Sequence, residues 1–311
     1  YLRFQKPRFD EDSYEVLISN LKNSLIGRKE NINSRMADST TVTLYGANNP
    51  KKPLFSEAFI EKISYDNIKY IYEDRFKDAS DFEFFIVGDV DENILKPWLA
   101  KYIASIPTSK TKENWVDNSV PWLKNIIDKD IYLEMENPKG SVRISFKNIM
   151  DYSLLNDRIA SVLGDMLELR FLETLREEEG GTYEAYVGCN MSKRPKGQAQ
   201  LSVSFDCNPE KVEDLIEIVY WEIDKMKNGI INKDDLDKTL ANGLKEVKEV
   251  QDKNNYDMSL LTNYFREGYH MNDPKNSEDI FKAIDKNAIQ NFVIKLMDNA
   301  MKFEIVFKPK E

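Results

Sequence analysis

A single histidine, His270, serves all 311 residues of this chain. A catalytic zinc site takes about three protein ligands, commonly with at least two histidines among them. Neither HExxH nor HxxEH can therefore be written with these residues. GxSxG, GxxxxGK[ST], GxGxxG and CxxC are missing as well. Positive charge is also scarce in relative terms. With 44 Lys and Arg against 54 Asp and Glu, the net charge is −10. Nucleic-acid binding needs clustered cations, and the short basic runs at 110–112 and 308–310 do not supply them. No apolar run approaches the roughly 18 residues of a membrane span. There are two cysteines, Cys189 and Cys207. They fall on neighbouring predicted strands, where a disulfide is conceivable, but buried free thiols are the simpler expectation.

What is present suffices for folded cores. Hydrophobic residues make up 41%, aromatic residues 11% and charged residues 32%. Length suggests roughly two domains at about 150 residues each. The opening at Tyr1, YLRFQKPRFD, is strand-like with no leader before it, so the chain is expected to be a piece of a larger protein.

Local signals then divide the chain. Tyr1 to Phe4 is read as a strand. Helices are predicted over 13–26, 32–45 (ended by Gly46), 55–60 and from a Ser64 cap to Phe76. DFEFFIVG, residues 81–88, is the clearest early strand, followed by a helix over 93–106. A polar stretch to 130, carrying Trp115 and Trp122, reads as a linker. Strands at 131–136 and 141–146 are predicted to pair across Asn137-Pro138-Lys139-Gly140. One long helix is expected over 152–176, then strands over 183–189 and 199–205. Helices over 209–227, 233–252, 259–269 and 287–297 precede a last strand, 302–307. The charges of 233–252 are read as a solvated face.

The order of elements repeats. Phe4, Pro7 and Asp10 to Asp12 resemble Phe205, Pro209 and Glu210 to Asp214, and FEFFIV at 82–87 resembles FEIVF at 303–307. The matched pairs lie about 200 and 220 residues apart. Residues 1–108 thus look like the second half of a module, 109–130 a linker, and 131–311 a whole module. The fold class expected is α+β, with a mostly antiparallel or mixed sheet and helices packed on one face of each module.

Chemistry has one local candidate, LRFLETLREEEGGTYEAYV, residues 169–187. Arg176 ends the long helix beside Glu177, Glu178 and Glu179, Gly180-Gly181 breaks it, and Tyr183 enters a strand. A guanidinium and a phenol are two donors of the kind a tetrahedral intermediate needs when its electrophile is held elsewhere. From the residues alone a second reading stands beside this one: Arg176 as a salt-bridged helix end and Tyr183 as a packed strand residue. His270, in EGYHMND, reads as an ordinary side chain.

That segment resembles the C-terminal half of the pitrilysin/insulysin-type zinc metallopeptidases, the inverzincins. RFDEDSYEVLISNLKNSL, DFEFFIVGDVD with IASIP, and the final KFEIVF extend the likeness over the chain in outline. The resemblance implies a clamshell of four modules, of which this chain would be the end of the third and all of the fourth. It implies that Arg176 and Tyr183 reach the substrate carbonyl as supporting catalytic residues. It places zinc on the N-terminal half, with no metal or other cofactor in this fragment. One departure is Gly-Gly-Thr where relatives often carry Leu-Gly. The partners implied are the N-terminal half of the same protein and a peptide substrate, and the location a periplasm or cell envelope. The alternative within the same fold is a non-catalytic scaffold or peptide-binding relative. A third reading, a two-lobed binding domain with no enzymatic parent, leaves the repeated order unexplained.

Overall fold

A computed structural model describes residues 1–178, 182–269 and 277–310, and of residues 176–178, 182–184 and 277 the backbone alone. The chain forms two compact units: Tyr1–Val42, Gly46–Val120 and Lys253–Gly268 make the first, and Thr43–Tyr45, Pro121–Asp252 and Tyr269–Glu311 the second.

The first unit begins with a short helix, α1 (Leu2–Gln5), followed by α2 (Glu11–Glu30) and α3 (Ile32–Tyr45). Asp10 caps α2 by accepting from the Ser13 amide, and Asn31 caps α3 by accepting from that of Ser34. Three helices follow, α4 (Glu57–Ile60), α5 (Tyr65–Phe76) and α6 (Glu92–Tyr102). The predicted Ser64 cap is in place, with its hydroxyl accepting from the Asn67 amide. Side-chain oxygens in these positions satisfy amides that a helix start leaves open.

Two predicted strands of this unit are corrected. Residues 2–5 are helical, and Phe82–Val87 runs without a ladder, so no strand occurs in this unit among the described residues. A strand is defined by a partner to which its amides and carbonyls bond, and neither segment has one here. Their aromatics gather instead: Phe4 lies edge-on to Phe82 at 4.9 Å and to Phe76 at 5.4 Å between ring centroids.

The second unit is a five-stranded sheet with helices on one face. Its elements are β1 (Ile126–Leu133), β2 (Gly140–Ile149), α7 (Leu154–Phe171) running into a π-helical segment Leu172–Glu178, β3 (Thr182–Ser192) and β4 (Gln198–Cys207). A 3-10 turn at Pro209–Lys211 opens α8 (Val212–Lys227), and α9 (Lys233–Val250) follows. The chain then returns to the first unit as α10 (Asn254–Thr262), which ends in a second π-helical turn, Asn263–Glu267. The second unit is completed by α11 (Ser277–Lys282), which the sequence reading missed, α12 (Lys286–Met297) and β5 (Met301–Pro309).

Strand order is β1-β5-β2-β4-β3, with β1 parallel to β5 and every other pair antiparallel. The expected β1–β2 hairpin is therefore corrected, because β5 lies between them. Strand β1 also starts at Ile126, inside the stretch read as a linker. The alternation that marks a strand says nothing about its neighbour. Strand β5, with Ile305 and Phe307 fully buried, occupies an inner place.

Val142, Ile144 and Phe146 of β2 and Leu201, Val203 and Phe205 of β4 pack with the apolar stripes of α7, α8 and α12 in the main core. On the opposite face, Trp122 sits edge-on to Phe303 at 5.1 Å, in a smaller cluster with Leu44 and Ile127. Toward β4 that face turns polar. The Ser145 hydroxyl reaches the Leu201 carbonyl at 3.0 Å, and Gln200 donates to Ser145 at 3.1 Å.

Candidate functional site

The candidate segment lies where α7 hands over to β3. Ser153 caps α7 by accepting from the Asn156 amide at 3.0 Å. Ile159, Val162, Leu163, Met166, Leu167 and Phe171 then recur at helical spacing and are buried. Gly164 lets this helix lie directly on β3: a Cβ there would stand 2.9 Å from the Cys189 backbone nitrogen. The long helix expected over 152–176 is thus α-helical only to Phe171 and widens into the π-helical segment beyond it. A π segment adds a residue per turn and so redirects every side chain that follows.

Arg176 lies in this π segment and Tyr183 is the second residue of β3. The π segment packs against both β3 and α8. Strand β3 is the last of the sheet and its register to β4 shifts between Thr182 and Ala185, which makes Tyr183 part of a bulge. Bulges redirect side chains and gather near functional sites. The side chains of Arg176, Glu177, Glu178 and Tyr183 lie outside the described residues, as do Glu179, Gly180, Gly181 and His270 altogether.

What holds this corner is a set of charges that the sequence reading passed over. The Arg170 guanidinium on α7 meets the Glu222 carboxylate on α8 twice, Nη2 to Oε1 at 3.2 Å and Nε to Oε2 at 3.4 Å. Lys225 approaches the same carboxylate at 3.1 Å. Arg170 also bonds Glu173 in the π segment and stands 3.9 Å from Asp235 in the first turn of α9. Glu222 is 1% exposed. The hydrogen bond to Glu222 is the largest influence on Arg170 and pushes its already high pKa further up. A signal was available. Glu222 stands three residues after Val219 and beside Ile223, in the buried stripe of α8. Arg170 likewise follows Met166 and Leu167 on the stripe of α7.

The cysteines are free and buried. Cys189 pairs with Leu201 and Cys207 with Thr182 in the ladder, which sets them roughly 20 Å apart at about 3.4 Å per residue. Burial pushes their thiols up, to about 12 for Cys189 and about 11 for Cys207. The donors among the described residues do not fit a zinc site. The chain has one histidine, the two thiols are apart and held protonated, and no cluster of three His, Cys, Asp or Glu side chains could hold a metal among the described residues.

Comparison with known proteins gives a consistent picture. Residues 62–242 match the family model described as the peptidase M16 inactive domain. The probable zinc protease PqqL of Haemophilus influenzae is 22% identical over 253 residues, which cover 80% of this chain and 26% of that protein. The periplasmic protease PqqL from Escherichia coli superposes with a TM-score of 0.80 at 15% identity, over 97% of this chain and 33% of its own. A peptidase M16 inactive domain from Pseudomonas fluorescens does so with a TM-score of 0.73 at 16% identity, over 98% and 72%. The chain thus spans about a quarter of the Haemophilus protein and a third of the Escherichia one. At such identities the solved structures speak for the fold alone.

Proposed function

Because the chain belongs to the peptidase M16 family through its inactive domain, we propose that it is the C-terminal, non-zinc-binding half of a zinc-dependent endopeptidase. The observation that carries this reading is the handover from α7 to β3. The π segment that contains Arg176 packs on an edge strand whose register shift spans Tyr183. Arg176 and Tyr183 would supply a cation and a neutral hydroxyl, donors of the kind that suit the oxygen of a scissile carbonyl as it gains charge. In this reading the metal and the general base belong to the other half of the polypeptide. When bound there, zinc supplies Lewis-acid activation of water and carbonyl.

The free edge of β3 offers amides and carbonyls to an extended peptide, which would add as a strand. Main-chain pairing carries little sequence preference, so unfolded peptides are the substrate class. By their sequence likeness to β5 and the end of β4, Phe82–Val87 and the segment around Phe4 mark residues 1–108, in this reading, as the second half of a module. The location, by likeness to a protein named as periplasmic, is the periplasm or cell envelope.

The test is zinc titration of this chain by itself, followed by calorimetry. No binding tighter than about 10⁻⁵ M is expected, against the roughly 10⁻⁷ M or better of a three-ligand site with correct donors. Stoichiometric tight binding would overturn the assignment to the non-metal half.

A further inference from the structure

We propose that Phe82–Val87 is a docking strand, built to sit inside a sheet, and that its two neighbours are strands of the same polypeptide upstream of Tyr1; this rests on the reading of residues 1–108 as the second half of a module. The first observation is how the segment lies. Phe82 and Phe84 share one face, their rings stacked at 6.4 Å between centroids, and both meet Phe4, at 4.9 and 6.2 Å. Glu83 and Phe85 take the other face. The Glu83 carboxylate accepts from Arg266 Nε at 2.9 Å, and the Phe85 ring lies 5.8 Å from that of Phe265. Alternation between two faces is the period of a strand. The backbone has no ladder to match. The Phe82 amide donates to the Ala79 carbonyl, but none of the amides or carbonyls of residues 83–87 bonds to the backbone of a described residue.

The second observation is which sides are taken. Phe4 and Phe76 lie against one face, and Phe265 and Arg266 against the other. What stays open is the pair of edges, where unpaired amides and carbonyls form a template for another strand. Only Glu83 interrupts the apolar run, and such runs belong to strands enclosed within a sheet. Phe84 and Ile86 are nonetheless each 44% exposed, as side chains are when no adjoining strand shields them. The third observation identifies the occupants. In the second unit the similar sequence FEIVF of β5 has both neighbours, β1 parallel to it and β2 antiparallel. Both precede β5 by more residues than precede Phe82 in this chain. Strands in the corresponding places therefore fall upstream of Tyr1. The fourth is length. The Pseudomonas domain superposes over 98% of this chain, yet this chain covers 72% of it, and 33% of the Escherichia protein. Both folds hold further chain that could supply such strands. A second copy pairing through the same segment would fill one edge and leave the other open.

The experiment uses the full-length protein and reads no catalysis. Amide hydrogen exchange followed by mass spectrometry should show residues 83–87 exchanging at least about 100-fold more slowly than unstructured chain. That protection should not change on dilution. A photoreactive phenylalanine analogue in place of Ile86 should cross-link within the same molecule to a segment upstream of Tyr1. Ile86→Pro removes one ladder donor, and should speed exchange over 83–87 by about tenfold or more while residues 140–149 stay as they were. If that variant does not fold, the cross-link decides. Fast exchange over 83–87 or a cross-link confined to residues 1–311 overturns the proposal. So does protection that grows with protein concentration, which marks a second copy, or protection that needs an added unfolded peptide. Zinc titration fails or succeeds independently of these readouts: tight binding there would overturn the peptidase half while an upstream cross-link kept the docking strand, and fast exchange here would remove the docking strand alone.

Discussion

Arg176→Ala in the full-length protein is expected to lower kcat for peptide cleavage by about 10²-fold, with KM changing far less. Removing one donor from an oxyanion site costs on the order of 10²–10³ in kcat, or about 3–4 kcal/mol. An interaction made mainly in the transition state shows in kcat and kcat/KM together. Arginine is charged at every working pH and donates through a planar fork, so Arg176→Lys should restore little. Tyr183→Phe removes a neutral donor and should cost less, about tenfold. If both groups act on one oxygen, as proposed, the double variant should lose less than the product of the two. Initial-rate kinetics at several peptide concentrations give the separation, with thermal midpoints to show that the fold is kept. If both single variants match the wild type, Arg176 is a helix end and Tyr183 a packed strand residue. The family assignment would stand without them.

The second large effect is on stability. Phe171→Ala should destabilise the second unit by about 3–5 kcal/mol. Phe171 is fully buried at the end of α7, where the π segment, β3 and α8 come together. Truncation there leaves a cavity that three packed elements cannot collapse around. For a unit of this size the midpoint should fall on the order of 10 °C. Leu169→Ala is the control: Leu169 is 41% exposed, and a surface change of this kind stays within about 0.5 kcal/mol. Thermal unfolding followed by circular dichroism distinguishes them. Equal midpoints for the two variants would mean that the α7 end contributes little to the unit.

Much of the fold was legible because its signals are local. Ser64 caps α5 at the place its chemistry indicates, and α3 ends before Gly46. The antiparallel pair β3–β4 and the last strand follow from alternation over a short loop. Partner choice was not legible. KFEIVF could be read as a strand, but nothing in it says that it separates β1 from β2. FEFFIV carries the same signal and forms no ladder, since pairing depends on a second segment and not on the strand itself.

The site divides in the same way. The sequence offers positions 176 and 183 as candidates through a helix end, a glycine break and a strand start. It carries no local signal for the change from α to π geometry at Leu172. Arg170 and Glu222 are 52 residues apart in sequence. They were readable only as charges in apolar stripes, a signal that marks each residue without saying that they meet.

The most direct test of the whole account is cleavage of a quenched fluorescent peptide by the full-length protein, before chelation, after it, and after zinc is restored, with this chain alone assayed alongside. The expected result is cleavage that the chelator abolishes and zinc restores, and none by this chain alone. Full-length protein that shows no chelator-sensitive cleavage would contradict the account and favour a non-catalytic scaffold of the same fold, as would cleavage by this chain on its own for the division of labour between the halves.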